Sequence, residues 1–162
     1  MACIAELYDY VIGADTHART HMFVIIETRT GAVTDSGEFP THRAGLARAI
    51  AWIGRRTTGT VFAAVEGTSS YGAGLTTALA AAGIPVGEVR PPSRKQQAVN
   101  GKSDSIDAES AARSVLGQDA SRVASPRANG DRNDLRILLT ARRLLDTAVS
   151  PDGSGCAASV VS

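Results

Sequence analysis

The run Val61-Phe62-Ala63-Ala64-Val65, apolar throughout and ended by Glu66, constrains this chain most. Five consecutive apolar residues describe a strand buried on both faces, and such strands belong to parallel sheets covered by helices. The surrounding patterns agree. Tyr8–Ala14 reads as a first strand, ending where Asp15 begins, and His21–Glu27 as a second, rich in β-branched residues. The turn at Thr30-Gly31 leads to a weaker third strand over 32–39, so strands two and three form an antiparallel hairpin. Val86–Val89 is a fifth strand, stopped by Pro91-Pro92.

Helical spacing fills the intervals. A helix starting at Pro40-Thr41 carries Leu46, Ile50 and Ile53 on one face and is closed by Gly54. Another carries Leu75, Leu79 and Ala82 before Gly83. The order β-β-β-α-β-α-β-α is that of a hairpin built onto parallel βαβ units. Ser103 is placed to cap a further helix whose apolar stripe is Ala108, Ala111, Ala112, Val115 and Leu116. Four residues before Ala108 and Ala111 stand Asp104 and Asp107, so both carboxylates are expected to point at the fold. The polar stretch 117–130 reads as a linker or mobile loop, and a last helix is expected from about Asn133 to Ala148. The tail beyond Pro151 lacks either periodicity and is expected to be disordered.

At 162 residues the chain has room for one core-bearing domain and a tail. It shows no long apolar segment and no charged-then-apolar leader, so a soluble, cytoplasmic protein without membrane partners is expected. Cys3 and Cys156 lie near opposite ends in no ligand or redox motif, as free thiols in a reducing compartment would. Residues 1–89 hold 6 Lys and Arg against 8 Asp and Glu, whereas residues 90–162 hold 11 against 8. The basic excess gathers at Arg90, Arg94, Lys95 and Lys102, just before Asp104 and Asp107. A polyanionic substrate suits that arrangement, although an ordinary solvated face explains the charge equally well.

Four acids fall at informative places: Asp15 and Glu66 after strands, Asp104 and Asp107 in a first helical turn. Two divalent ions about 3.5–4 Å apart can activate an attacking oxygen and stabilise a leaving one in phosphoryl transfer. Hard oxygen ligands suffice for magnesium. Singly, each acid has a structural explanation: a turn residue for Asp15, a favourable helix-dipole contact for Asp104. In combination they favour a metal site. His17 and His21, four apart, straddle a turn and a strand, and with no Cys or Glu nearby zinc is not expected. His42 reads as an exposed first-turn residue. Gly67-Thr68-Ser69-Ser70-Tyr71-Gly72 lacks the lysine of a P-loop and is not a nucleophile elbow, so it is kept as backbone beside a substrate.

Three segments together resemble the DEDD transposases of the insertion-sequence 110 family: Ile12–His17, Val65–Gly72 and Gly101–Ala108. The resemblance extends over roughly residues 8–146, with Pro91-Pro92-Ser93-Arg94 and the helix near Leu135–Arg143 in matching places. It implies an α/β, ribonuclease-H-like (RuvC-like) domain over 1–118, with a mixed five-stranded sheet, an antiparallel hairpin and flanking helices. A linker and the start of a helical region would occupy 119–148, and the tail 149–162. Asp15, Glu66, Asp104 and Asp107 would be the catalytic, Mg2+- or Mn2+-binding tetrad; from the charge distribution, Arg94, Lys95 and Lys102 are expected on nucleic acid. Members catalyse site-specific DNA recombination as oligomers, some guided by an element-encoded RNA, with a C-terminal domain supplying a catalytic serine. No segment here matches that domain, so a truncated transposase is expected. Two alternatives stay open: a non-catalytic DNA- or structured-RNA-binding module, and a stand-alone Holliday-junction nuclease.

Overall fold

The computed structural model describes residues 2–90 and 103–126. A short helix α1 (Ile4–Leu7) precedes strands β1 (Tyr10–Thr16), β2 (Thr20–Glu27) and β3 (Val33–Pro40). Helix α2 (Arg43–Arg56), strand β4 (Val61–Glu66), helix α3 (Ala73–Ala81), strand β5 (Val86–Val89) and helix α4 (Asp104–Leu116) follow. The sheet order is β3-β2-β1-β4-β5. β1 pairs antiparallel with β2 and parallel with β4, and β4 pairs parallel with β5. The expected mixed five-stranded, ribonuclease-H-like α/β sheet with an antiparallel hairpin is therefore present.

Side chains alternate across a strand, and here both faces are covered. Ile12, Ala14, Ala63 and Val65 pack with Leu46, Ala49, Trp52 and Ile53 of α2 and with Leu75 and Leu79 of α3. Val11, Phe62, Ala64 and Val89 pack on the other face against Ala108, Ala111, Ala112 and Val115 of α4. β1 lies between β2 and β4, so Val11 through Asp15 are all buried. That explains why the central strands read as unbroken apolar runs.

Several expected boundaries move for identifiable reasons. β1 begins at Tyr10 rather than Tyr8, because Tyr8 ends α1 and Asp9 instead accepts from the Thr60 backbone at 2.8 Å. At its other end β1 includes Asp15 and Thr16, which pair with Met22 and His21 across the hairpin. Pro40 does not open α2; it pairs with Thr20 as the last residue of β3. His42 is the exposed N-cap of α2, its Nδ1 accepting from the Gly45 N–H at 3.2 Å. Gly54 does not close that helix, which runs on to Arg56 and is capped by Thr57. In α3 the third buried position is Thr76, its hydroxyl donating to the Gly72 carbonyl at 2.8 Å, whereas Ala82 is an exposed C-cap.

The polar stretch after Gly117 is tied to the sheet over its described part. A 3-10 turn spans Ala120–Arg122, Asp119 bridges to Cys3, and the Glu88 N–H donates to the Ala124 carbonyl at 2.8 Å. The expected helix over 133–148 and the tail lie outside the described residues. Among the described residues no helix is long and apolar enough to cross a membrane.

A candidate metal centre at the carboxyl edge of the sheet

Parallel pairing brings the carboxyl ends of β1, β4 and β5 to one edge. Ala14 lies opposite Val65, so Asp15 and Glu66 follow at neighbouring strand ends. By alternation both side chains leave the sheet on the face that α4 covers, since Gly13 and Ala64 do so two residues earlier. Active sites of open α/β sheets form beyond strand ends of this kind.

Helix α4 supplies the other two acids. Ser103 caps it, its hydroxyl accepting from the Ile106 N–H at 3.4 Å, and Asp104 and Asp107 occupy the first turn. The helix approaches β1 closely because position 13 is glycine: a Cβ there would collide with the Ala108 carbonyl oxygen and lie 2.9 Å from the Ala112 nitrogen. Asp104, one turn before Ala108, consequently lies next to the end of β1. Both carboxylates reach the strand ends, Asp104 beside His17 and Asp107 near enough to act on Asp15 and Glu66, yet the Asp104 side chain is 60% exposed and Asp107 half-buried. The first turn of α4 extends past the sheet edge, where nothing described covers Asp104.

His17 joins this group. Its Nε2 is 2.9 Å from Asp15 Oδ2 and 3.5 Å from Asp104 Oδ1. Asp15, His17 and Asp104 each offer one ligand atom, and these atoms lie within 4.8 Å of one another. Glu66 and Asp107 stand outside this tightest triad but are close enough to act on it electrostatically. Burial raises the Asp15 carboxyl above its ordinary value; His17 opposes the shift, while Asp107 and Asp104 add to it. Glu66 is pushed up to about 7, chiefly by burial and then by Asp15 and Asp107. Among the described residues no Lys or Arg forms an ion pair with any of the four acids. Carboxylates that raise one another in this way fit a divalent ion, which would relieve the repulsion.

The turn after Glu66 shapes the adjoining space. Gly67 has φ +65°, and a Cβ there would lie 2.9 Å from the Ser70 hydroxyl and 3.2 Å from that of Thr16. Thr16 in turn donates to the Glu66 carbonyl at 2.8 Å, locking the two strand ends together. An open cleft of about 650 Å³ beside Glu66 is lined by Thr16, Gly67, Ser69, Ser70, Val89 and Arg90, with Glu88 at its wall. Residues 67–72 thus border the cleft as backbone and hydroxyls. Arg94, Lys95 and Lys102 lie outside the described residues.

A family model for transposases, the DEDD type of insertion-sequence 110, matches residues 12–149. The chain belongs to that transposase family. No curated protein matches it significantly. Sequence reasoning did not select His17, because it was weighed against His21 as a zinc pair. The usable signal was its spacing from Asp15: residues i and i+2 at a strand end share a face.

Proposed function

We propose that this chain carries the metal-binding half of a DNA recombination site, in which Asp15, Glu66, Asp104 and Asp107 hold divalent ions for phosphodiester chemistry. The observation that carries the reading is the convergence of acids from β1, β4 and α4 at one sheet edge, with His17 as their only described ion-pair partner. Magnesium or manganese held there would supply Lewis-acid polarisation of a scissile phosphate and activation of the attacking oxygen. The chain's own residues do the positioning. Gly13 sets the distance between helix and strand, and Thr16 ties the two strand ends that carry Asp15 and Glu66. The cleft beside Glu66 brings Arg90 and the Ser69 and Ser70 hydroxyls next to the acids, donors suited to a phosphate backbone.

Calorimetric titration of the full chain with Mn2+ tests this reading. Asp15→Asn and Asp107→Asn should each weaken binding at least about tenfold, since each removes a charged ligand from a shared site. Circular dichroism confirms that the variants remain folded. Unchanged manganese affinity in both would remove the proposal, and salt-sensitive DNA binding independent of metal would then favour a non-catalytic binding module.

A further inference from the structure

His17 differs from the acids in donor chemistry, and its placement is specific. The imidazole follows β1 directly, and the His17 backbone N–H donates to the Thr20 carbonyl at 3.2 Å across the hairpin turn. That bond fixes the residue at the sheet edge, and its ring returns over the face bearing Asp15. A single Nε2 meets carboxylate oxygens from two separate elements, 2.9 Å away on β1 and 3.5 Å away on α4. Ligands around one small divalent ion, at bond lengths of roughly 2.0–2.2 Å, lie about 3 Å apart when adjacent and about 4.2 Å when opposite. The Asp15, His17 and Asp104 ligand atoms, all within 4.8 Å of one another, are spaced on that scale.

We infer that His17 is a metal ligand of the centre and makes the subsite it shares with Asp15 and Asp104 selective for first-row transition ions over magnesium. The inference rests on the proposal that the acidic cluster holds divalent ions, and adds that its two sides are unequal. On the Glu66 and Asp107 side the donors are oxygen alone, the set that magnesium prefers. On the His17 side they are one nitrogen and two carboxylates. Imidazole is a softer donor, and affinity at such a set rises from Mn2+ to Co2+, whereas magnesium gains little from nitrogen. Asp15 links the two donor sets: it responds to His17, Asp107 and Asp104, while Glu66 responds to Asp15, Asp107 and, last, His17.

Pulsed EPR of Mn2+ bound to the unsubstituted 162-residue chain tests this without a substitution. Direct coordination by His17 should give a nitrogen coupling from a bound imidazole, altered in the expected ratio on 15N-histidine labelling. The coupling should vanish in His17→Ala and persist in His42→Ala. In titrations His17→Ala should lose about tenfold in Mn2+ affinity, more for Co2+, and less than about threefold for Mg2+. Bound manganese without nitrogen coupling, or coupling that survives in His17→Ala, overturns the role of His17 and leaves the oxygen centre standing. Absence of any manganese binding by the wild-type chain instead overturns both the centre and this inference.

Discussion

Gly13→Ala is expected to lower the melting temperature of the metal-free chain by on the order of 10 °C and to abolish tight divalent-ion binding. The added methyl would collide with the Ala108 carbonyl oxygen and lie 2.9 Å from both the Ala108 carbonyl carbon and the Ala112 nitrogen. All of these are backbone atoms of α4, so no rotamer change can make room. Either α4 lifts from the sheet or β1 bends, and overpacking of this kind costs about 1–3 kcal/mol or somewhat more. For a domain of this size about 3 kcal/mol corresponds to the stated shift. The loss of binding follows from the same displacement, because lifting α4 withdraws Asp104 and Asp107 from Asp15. Gly54→Ala provides the contrast. Position 54 lies in α2, exposed, with nothing within 4 Å of an added Cβ, so alanine should stabilise by roughly 0.5–1 kcal/mol. Thermal melts of both variants, with and without Mn2+, check the pair. Equal melting temperatures for Gly13→Ala and the parent would mean that close helix–strand packing does not set the site.

Gly13 also marks how far the sequence could be read. Hydrophobic runs showed where strands lie, and the glycine turn showed the hairpin, because those signals depend on local chemistry. Asp15 and Glu66 were legible for the same reason: each breaks a buried apolar run at its carboxyl end. The tightness of the α4 approach was not, since a glycine within a strand looks identical whether it faces solvent or a helix backbone. Edges shifted where tertiary pairing overrode local signals, as when Pro40 was drawn into β3 by Thr20. The polar stretch after Gly117 reads as a linker because its attachments to Cys3 and Glu88 are backbone bridges, which carry no side-chain signature. His17 stands two residues from Asp15, but its nearness to Asp104 depends on how α4 docks, which no local pattern encodes.

Glu66→Gln is expected to stabilise the metal-free chain at pH 8 while destroying its response to metal. In the folded chain the Glu66 carboxyl titrates at about 7, against an ordinary value of 4.5, because it is buried beside Asp15 and Asp107. Between those two values the folded state holds a proton that the unfolded state has released. Stability therefore falls as pH rises from about 4.5 to 7 and levels off above. A displacement of this size corresponds to at most about 3.5 kcal/mol, which solvent screening at a half-buried position reduces to on the order of 1–2 kcal/mol. Glutamine keeps the shape and never ionises, so the variant should melt higher than the parent at pH 8 and converge with it near pH 4.5. Saturating Mn2+ should reverse the order. A ligand at a hundred times its dissociation constant adds about 2.7 kcal/mol to the parent, whereas the variant has exchanged a charged ligand for a neutral one. Melting curves for both proteins across pH 4.5–8, with and without Mn2+, provide the test. A parallel pH profile in the two, or equal stabilisation of both by metal, would show that Glu66 stands apart from the centre. The inverted order would identify a carboxylate kept at a cost to folding for the ion it binds, as expected where function and stability compete for one position.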